Sequence, residues 1–449
     1  MKLHWQILVA IGLGIKRNWH IFLALIGGVL VGLIYPFQHG DPTPFHDALY
    51  FIGEVFIRLI QMIVIPLVVS AIIVGIASLG DSRQLGKIGL KMIGYYALIT
   101  VIAVIIGITL ALLLQPGKGM RAKIDTQQSN LVQDKVEIIK ENTANIPSLI
   151  LNMIPGSPLT DDDTPNKDME ATMVQILIGV IIFGAAFASI GEVNRPVVSF
   201  FESVFAATMK VTDWIMVIAT PGIFSLTAYS VAKTGLSTVQ ELWVYVSVIL
   251  LGLALQFFVT YPLIIKLFSK IKFTALYQAV TEAMMVAFGT ASSSATLPVT
   301  IACCERRAGI SSKICSFVLP LGATMNMDGT ALFQSVAVIF IAQAYDLTLT
   351  PLMLVIIGLL AIVASSTSAG IPSAGIITTA LILQGGLKLS VEEVGQAYVL
   401  LFAFDRIVDM FRTLVNVTSD AVVAGVIASN EGELDYDLLE NNEVWKEVV

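Results

Sequence analysis

Asp405-Arg-Ile-Val-Asp-Met-Phe-Arg-Thr-Leu-Val-Asn-Val-Thr-Ser-Asp420 is a polar sequence within residues 395–429, a segment otherwise apolar enough to cross a membrane as a helix. At about 100° per residue, six of its side chains fall within an arc of about 100° and over about 22 Å of helix. The six are Asp405, Asp409, Arg412, Thr413, Asn416 and Asp420. Each ionised group at bilayer depth costs at least about 2.5 kcal/mol, so such groups face protein, water or bound ions and mark a pathway or a site. This polar stripe predicts that the chain moves something charged.

The composition is that of an integral membrane protein. Hydrophobic residues make up 56% of the 449 residues, charged residues make up 13%, and the mean hydropathy is +0.83. That is roughly half the charge of an ordinary soluble domain. Apolar runs long enough to span a bilayer cover roughly residues 19–35, 48–79, 90–115, 171–190, 197–228, 241–268, 314–343 and 395–429. The sequence therefore predicts an all-α integral membrane protein with eight transmembrane helices.

Basic residues near the ends of these runs set the predicted orientation, because cytoplasmic loops carry an excess of Lys and Arg. They are Lys16, Arg17, Arg83, Lys87, Lys91, Lys266, Lys270, Lys272, Arg306, Arg307 and Lys313. Their positions predict a multi-pass protein of the cell membrane, with both termini in the cytoplasm and the polar segment 116–145 outside. The acidic residues after Glu431 contribute to the formal net charge of -7 and predict a solvated tail rather than a binding surface. No pattern indicates nucleic-acid binding.

The chain carries few residues typical of catalysis or of a structural metal site. Cys303, Cys304 and Cys315 cluster near a predicted cytoplasmic end, where thiols stay reduced, and no Cys/His spacing suits a metal. We expect these thiols to be buried and inert. All four histidines lie near the N-terminus, far in sequence from the polar stripe. Because no nucleophile is paired with a base, we predict that the protein is not an enzyme.

Two further apolar stretches, 274–304 and 350–387, are interrupted by Ser, Thr, Gly and Pro, and they repeat one another. Aligned on Pro298 and Pro372, the sequence Ala-Ser-Ser-Ser-Ala-Thr-Leu-Pro matches Ser-Ser-Thr-Ser-Ala-Gly-Ile-Pro. Paired broken segments in two halves of a membrane chain point to the binding site of a transporter. Each proline suits the first turn of a returning helix, whose N–H groups favour an anion such as a carboxylate. The alternative is close packing of small residues between helices in lipid; the duplication counts against it.

A third polar interruption, Asn326-Met-Asp-Gly-Thr330, lies in the middle of the run 314–343. Gly329 and the adjoining polar residues are expected to break the helix and leave backbone carbonyls available at membrane depth. Asn326 and Asp328 add hard oxygen ligands, which alkali cations prefer. The motif therefore predicts a cation site, and a hydrogen-bonded kink without an ion is the alternative.

Together these motifs resemble the dicarboxylate/amino acid:cation symporters, the glutamate transporter family that includes the excitatory amino acid transporters. The resemblance rests on the two serine-rich tips, the break at 326–330 and the stripe from Asp409 to Asp420. Arg58-Leu-Ile-Gln-Met-Ile-Val-Ile-Pro66 and the pair Tyr95-Tyr96 extend it into the first half. It covers nearly the whole chain, and its motifs are long, ordered and mutually spaced.

The resemblance implies a homotrimer whose protomers contain eight transmembrane helices and two re-entrant helical hairpins, organised as inverted repeats. It implies an elevator mechanism in which the second hairpin, around Ser365 to Pro372, is the outer gate. The implied units are 1–80, scaffold helices one and two; 81–115, the third helix, in the transport domain; 116–232, an extracellular loop and scaffold helices four and five; 233–429, the transport core; and 430–449, an acidic cytoplasmic tail.

The resemblance also implies how an acidic amino acid is bound. Arg412, assisted by Thr330, would bind the side-chain carboxylate of aspartate or glutamate, and Asp409 would bind the α-amino group. The other implied substrate-binding residues hold the α-carboxylate or lie beside it: Ser292, Ser293, Gly370, Ile371, Thr413 and Asn416.

Two or three transported sodium ions are implied as well. The ligands implied for the first ion are Asp420, Asn416, Asn326 and the carbonyl of Gly322. Those for a second are Asn326, Asp328, Tyr96 and Thr100. Carbonyls near Thr324, Ser365, Ser366 and Ser368 would bind a third.

Comparison within the family selects sodium-coupled transport of acidic amino acids. Relatives coupled to protons tend to lose the carboxylate at Asp420, C4-dicarboxylate carriers lack the one at Asp409, and neutral amino-acid carriers tend to replace Arg412; all three are present here. The alternatives are a proton-coupled glutamate or C4-dicarboxylate carrier of the same fold, or a protein that acts mainly as an anion channel. Aspartate or glutamate as the preferred substrate stays open.

The chain also departs from the family pattern. Members commonly carry a further arginine either at the first tip, where this chain has Ala291, or beside the amino-binding aspartate, where it has Met410. Arg406 could neutralise the local carboxylates or only pair structurally with Asp405, and we favour the structural pair. Ile99 replaces a hydroxyl residue beside the cation site on the third span, which leaves the number of ions open.

Overall fold

The structure, a computed structural model, describes residues 19–37, 43–80, 86–118, 179–190 without 181, 185 and 188, 195–234, 236–368, 370 and 372–440. Predictions about the first 18 residues, the segment 119–178, Ile371 and residues 441–449 lie outside the described residues. Within the described part the chain is helical, with turns and one isolated antiparallel bridge. This confirms the predicted all-α class for that part of the chain.

The helices of the first half are long and apolar. They are α1 (Trp19–Ile34), α2 (Pro44–Gly80), α3 (Gly86–Leu114), α4 (Arg195–Val217) and α5 (Ala219–Thr234). The apolar run 197–228 is divided, because the chain makes a turn at Ile218 between α4 and α5. Pro221 is the third residue of α5, a position where a missing backbone N–H breaks no helical hydrogen bond.

The second half contains more and shorter helices. They are α6 (Leu236–Leu255), a π-helical turn (Gln256–Thr260), α7 (Tyr261–Phe268), α8 (Phe273–Ala279), α9 (Thr281–Thr290), α10 (Ser293–Arg306), α11 (Ser312–Met325), α12 (Asp328–Ala344), α13 (Pro351–Ser366), α14 (Ala374–Leu387), α15 (Val391–Glu431) and α16 (Tyr436–Glu440). In the described residues, four helical segments are long and apolar enough to cross a membrane: Ile88–Leu114, Leu242–Phe268, Ser312–Ala344 and Phe404–Glu431.

The helices pack in two groups. In the first, α1 packs on α5, and α2 packs on α4 and α5. Gly28 and Gly32 of α1 allow this approach, since a Cβ atom at Gly28 would lie 2.7 Å from the carbonyl oxygen of Phe224. In the second group, α15 contacts α6 and α9 to α12, and α12 also packs on α3. The polar stripe therefore runs through the centre of the second group.

The first serine-rich tip joins two helices that pack against each other, α9 and α10, which we call the first hairpin. Ala291 ends α9 in the left-handed region (φ 51°), and the hydroxyl of Ser292 caps α10 by accepting the N–H of Ala295 at 3.2 Å. Because α10 begins directly after Ser292, Pro298 is its sixth residue. The prediction that this proline lies in the first turn is wrong.

The second tip joins α13 and α14, which we call the second hairpin. Ser373 is the N-cap of α14 and has a left-handed backbone (φ 62°). Pro372 therefore precedes the helix, and the prediction that it lies in the first helical turn is also wrong.

The predicted break between α11 and α12 is present but lies earlier than expected. Asn326 (φ -95°, ψ 84°) and Met327 (φ -116°, ψ 52°) are non-helical, whereas Gly329 is the second residue of α12. The prediction that Gly329 breaks the helix is wrong. Its lack of a side chain serves close packing instead, because a Cβ atom there would lie 3.0 Å from Oδ1 of Asn416.

Candidate functional site

The polar stripe of α15 faces the protein interior. Its six side chains belong to residues that are at most 4% exposed. This agrees with the prediction that these groups turn toward protein. Three carboxylates and one guanidinium are therefore buried together on α15. Because buried charges require partners, the contacts among these groups indicate which of them are available to a substrate or an ion.

Arg412 lies at the centre of the stripe between two carboxylates. Its Nη2 donates to Oδ1 of Asp409 in a short contact, and its Nη1 lies 3.8 Å from Oδ1 of Asp405. The guanidinium also stacks on the ring of Phe333, with Cζ 4.5 Å from the ring centroid. Nη1 has no hydrogen-bond partner among the described residues. Arg412 therefore keeps part of its donor fork for a further acceptor.

Gly375 makes room for this guanidinium. A Cβ atom at Gly375 would lie 2.8 Å from Nη1 of Arg412 and 2.8 Å from Cγ2 of Thr330. Phe333 on α12 and Gly375 on α14 thus help to position Arg412. Sequence reasoning missed both residues, because neither carries a polar group that would have drawn attention to it.

Asp409 connects the stripe to the second hairpin. The backbone N–H of Ser373 donates to Oδ2 of Asp409 at 2.8 Å. The left-handed backbone of Ser373 belongs to the turn that presents this N–H, and sequence reasoning did not identify the residue. The carboxylate predicted to bind an amino group therefore also holds the start of α14.

The two hairpin tips touch directly. The carbonyl oxygen of Gly370 accepts the N–H of Ser294 at 3.1 Å and the hydroxyl of Ser292 at 2.6 Å. A Cβ atom at Gly370 would lie 2.8 Å from the carbonyl oxygen of Ala323, so this position is closely packed. The structure thus brings Ser292, Gly370 and the buried Ser293 together.

Asn416 and Thr330 also meet, on facing turns of α15 and α12. Oδ1 of Asn416 accepts the N–H of Gly329 at 2.9 Å, and its Nδ2 donates to Oγ1 of Thr330 at 3.3 Å and to Sδ of Met327 at 3.2 Å. Thr413 is buried on the same face of α15.

A group of oxygen ligands surrounds the end of α11. Nδ2 of Asn326 donates to Oδ1 of Asp420 and to Oγ of Ser419, both at 2.9 Å. A Cβ atom at Gly322 would lie 2.5 Å from Oδ1 of Asp420 and 2.6 Å from the hydroxyl of Tyr96. Oδ1 of Asn326 receives no hydrogen bond within the described part of the chain. These residues form one candidate cation site.

Asp328 forms a second buried centre. Its Oδ2 accepts the hydroxyl of Tyr261 at 2.5 Å and Nε2 of Gln256 at 2.9 Å, while no described donor reaches Oδ1. Thr100 is buried on α3, and the carbonyl of Ile99 accepts Nε2 of Gln256 at 3.3 Å. Sequence reasoning missed Gln256 and Tyr261.

The π-helical turn explains why these two residues were missed. Tyr261 follows Gln256 by five positions, which would place their side chains about 140° apart on a regular α-helix. The wider turn between them brings both onto Asp328. Such turns occur frequently at functional sites, but hydrophobic periodicity does not reveal them.

The side chains predicted to lie near a third ion form no hydrogen bonds with one another in the part of the chain that the structure describes. Oγ1 of Thr324 donates to the carbonyls of Pro320 and Leu321, and Thr324 is exposed. The hydroxyls of Ser365 and Ser366 donate to the carbonyl of Ile362 in α13, at 3.0 and 2.9 Å. The hydroxyl of Ser368 lies 3.3 Å from the carbonyl of Ala364 and 2.6 Å from the hydroxyl of Thr378 on α14.

The two positions at which the resemblance suggests a further arginine, 291 and 410, hold apolar residues. Ala291 and Met410 are each 1% exposed and pack together with Phe288. Neither oxygen of Asp405 accepts a hydrogen bond from a described residue, and the structural pair between Asp405 and Arg406 stays a prediction. The guanidinium of Arg412 donates to Asp409.

The described residues contain no group of three or more His, Cys, Asp or Glu side chains placed to hold a metal ion. The candidate cation sites are built instead from amide, hydroxyl and isolated carboxylate oxygens. Cys303, Cys304 and Cys315 are buried free thiols, as the sequence predicts.

Comparison with known proteins identifies the family. The sequence pattern of the sodium:dicarboxylate symporter family matches residues 18–430. The chain belongs to the sodium:dicarboxylate symporter family. That match includes every residue described above for the stripe, the two tips and both oxygen clusters.

Among members of the sodium:dicarboxylate symporter family, bacterial and animal proteins are similar over nearly their full length. The proton/sodium-glutamate symport protein of Bacillus subtilis (strain 168) is 34% identical over 416 residues, covering 92% of each chain. The proton/glutamate-aspartate symporter of Escherichia coli (strain K12) is 34% identical over 423 residues, covering 93% of each. Excitatory amino acid transporter 3 of Homo sapiens is 32% identical over 476 residues, covering 97% of this chain and 89% of the human one. Their names include both sodium and proton coupling.

Proposed function

We propose that this chain is a secondary active symporter that carries L-aspartate or L-glutamate across the cell membrane together with sodium. One observation carries the proposal: the buried side chains of Asp409 and Arg412 are bonded to each other directly beside the two touching hairpin tips. A carboxylate and a guanidinium in this arrangement match the ammonium and the side-chain carboxylate of an acidic amino acid.

In this proposal each charged group of the substrate has its own partner. The planar fork of Arg412, held by Phe333 and Gly375, binds the side-chain carboxylate, and Thr330 assists. Asp409 binds the α-amino group. The α-carboxylate is bound by Asn416, by the first tip at Ser292 and Ser293, and by the backbone at Gly370 and Ile371, with Thr413 beside it. The N-terminus of α10 adds a positive dipole end for this anion.

Sodium is proposed as a second cargo, with two or three ions per substrate. Oδ1 of Asn326 and Oδ1 of Asp328 are buried oxygens without a described donor, which suits a cation. Asp420, Asn416, Asn326 and the carbonyl of Gly322 would bind one ion, and Asn326, Asp328, Tyr96 and Thr100 a second. Carbonyls near Thr324, Ser365, Ser366 and Ser368 remain the proposal for a third.

An elevator mechanism in a homotrimer fits the packing. The group formed by α1, α2, α4 and α5 corresponds to the proposed scaffold, and α3 with α6 to α15 corresponds to the proposed transport domain. Large apolar side chains are exposed on the scaffold, including Leu23, Ile26 and Phe200, and such a surface suits lipid or another protomer. We propose eight spans, two re-entrant hairpins in inverted repeats, the second hairpin as outer gate, and cytoplasmic termini.

Proton coupling is the second candidate, and Asp405 favours it. Its carboxylate is buried, accepts no hydrogen bond from the described residues and lies 3.8 Å from the guanidinium of Arg412. A buried carboxyl group with so few donors is a suitable carrier of a transported proton. In this version Asp405 rather than the sodium ligands couples substrate movement to the ion gradient.

Uptake into proteoliposomes of the purified protein tests the proposal. We expect saturable uptake of radiolabelled aspartate that requires an inward sodium gradient and is inhibited by glutamate. Uptake driven by an imposed pH gradient in sodium-free buffer would instead support proton coupling, and the Asp405→Asn variant would then abolish it.

The same vesicles distinguish a C4-dicarboxylate carrier and an anion channel from the proposed symporter. Uptake of succinate in preference to aspartate would identify a C4-dicarboxylate carrier. Anion currents without saturable amino-acid uptake would identify a channel. Either result would overturn the proposed function.

A further inference from the structure

The chain does not leave the helical bundle when α15 ends. Gly432 caps α15 with a left-handed backbone (φ 71°), and its N–H donates to the carbonyl of Ala428. The following residues contact the loop between α10 and α11 and end in the short helix α16, which packs on α8. We call residues 432–440 the strap.

Backbone hydrogen bonds attach the strap to the loop between α10 and α11. The N–H of Ser311 donates to the carbonyl of Glu433 at 3.0 Å, and the N–H of Asp435 donates to the carbonyl of Gly309 at 2.8 Å. Ile310 and Leu434 face each other between these bonds as an antiparallel pair. This is the non-hydrogen-bonded type of pair, in which the two Cα atoms approach most closely.

Gly309 is suited to this contact for two reasons. Its backbone is left-handed (φ 68°), and a Cβ atom there would overlap the carbonyl oxygen of Asp435. Gly432 has a similar backbone (φ 71°), but a Cβ atom there would meet no atom within 4 Å. The two glycines therefore form a matched pair: both have a left-handed backbone, but only at Gly309 would an added Cβ atom collide with the strap.

Side chains attach the strap to the segments that flank the first hairpin. Glu440 pairs with Lys272, the residue before α8, and Glu433 pairs with Lys313 at the start of α11, each at 3.1 Å. Leu439 and Ile310 are 1% and 2% exposed, so the contact also contains a small apolar core. Detachment would expose both side chains and break two backbone hydrogen bonds.

We infer that the strap is an internal clamp that ties the segments on either side of the first hairpin, the residue before α8 and the loop after α10, to α15, so that the first hairpin and the polar stripe move as one unit and the hairpin does not open during transport. The clamp itself follows from these contacts, whereas its role in transport rests on the proposed function. The first tip then stays beside the stripe, and the second hairpin is left to open.

Hydrogen exchange of the purified protein tests the clamp without any substrate. Gly309→Asn keeps a residue that tolerates a left-handed backbone but places a Cβ atom against Asp435, and Gly432→Asn is the matched control. We expect Gly309→Asn to raise amide exchange at least about tenfold in 305–313 and 432–440, with little change in Gly432→Asn. Equal exchange in the two variants would overturn the clamp.

A disulfide tests whether the clamp stays closed during transport. Ile310→Cys with Leu434→Cys joins two residues whose pairing type suits a disulfide, and the native cysteines are too buried to compete. We expect vesicles containing the disulfide-bonded variant to take up aspartate at a rate within about twofold of the rate measured after the disulfide is reduced with dithiothreitol. A loss of about tenfold or more that reduction reverses would overturn the inference. Absence of aspartate uptake in the wild-type protein would instead count against the proposed function, and the exchange experiment would still decide on the clamp.

Discussion

Asp409 and Arg412 lie three residues apart on α15 and form a buried ion pair, and Asp409 also accepts the N–H of Ser373 from the second hairpin. In the proposed transporter, binding of an acidic amino acid replaces the ion pair between Asp409 and Arg412 by two ion pairs with the substrate. Its ammonium takes Asp409, and its side-chain carboxylate takes Arg412. A neutral amino acid supplies only the first contact and leaves a buried guanidinium without an acceptor, which accounts for selection against it.

Replacement of Arg412 by Ala is expected to abolish binding of acidic substrates. Loss of one partner of a buried charge pair costs about 3–5 kcal/mol, so the dissociation constant for aspartate is expected to rise by at least about 100-fold. Equilibrium binding of radiolabelled aspartate measures the change. Arg412→Lys keeps the charge but not the fork, and it is expected to bind only weakly. Size-exclusion chromatography checks that each variant is folded, and unchanged aspartate affinity in Arg412→Ala would refute the assignment.

Gly375→Ala is expected to weaken aspartate binding although it adds a single methyl group. The new Cβ atom would collide with the guanidinium of Arg412, and a displacement of that group is expected to cost at least about 1.4 kcal/mol, or tenfold in affinity. Gly386→Ala is the matched control, because it also replaces a glycine of α14 but contacts only apolar side chains such as Ile357. Similar affinity losses in both variants would show that helix α14, and not the position of Arg412, is responsible.

Asp420→Asn is expected to weaken sodium binding and, through linkage, aspartate binding as well. Asp420 is the carboxylate nearest Asn326 and Gly322, and loss of its charge removes a hard ligand from the first candidate cation site. Because coupling between two ligands is reciprocal, the sodium concentration needed for half-maximal aspartate binding is expected to rise about tenfold or more. A wild-type sodium dependence in Asp420→Asn would remove this residue from the cation site.

Attachment of the strap is expected to weaken at acid pH. The ammonium of Lys313 holds the pKa of the Glu433 carboxyl below its usual range. Because the pKa of Glu433 is lower in the folded state than in the unfolded state, its ion pair stabilises the attached strap at pH values above the unfolded pKa of about 4.3. This stabilisation is lost as the pH falls through the folded pKa. Hydrogen exchange of residues 432–440, corrected for the intrinsic pH dependence, is therefore expected to rise between about pH 5 and pH 3. Glu433→Gln is expected to lack this step, and a step of equal size in that variant would assign it to another group.

Much of the second half of this protein could be predicted from local patterns. The stripe repeats with the period of a helix, so its burial on one face could be anticipated from spacing alone. The duplicated tips and the Asn326 motif could be found because polar residues are rare in apolar runs. These signals concern residues that lie close together in sequence and carry chemistry that a membrane does not tolerate without a reason.

Contacts between distant elements were not visible in the same way. Gly375 and Phe333 position Arg412 through shape, and Ser373 acts through a backbone N–H, so residue type gives no indication of their roles. The predicted positions of the prolines failed because α10 begins directly after Ser292, whose hydroxyl caps it, and α14 begins directly after Ser373, whose backbone N–H donates to Asp409. The contact of Ser373 with Asp409 is tertiary, so the local sequence did not reveal it.

The wide turn at Gln256–Thr260 has a consequence for how this part of the chain tolerates insertions and deletions. It acts as a one-residue insertion within an otherwise continuous span, and everything from Tyr261 onward is rotated relative to α6. Excision of one residue there would leave the length and hydropathy of the span almost unchanged. It would nevertheless rotate the side chain of Tyr261 away from Asp328. A one-residue gap at this place in a sequence alignment would therefore distinguish proteins that keep the contact between these two residues from proteins that lack it.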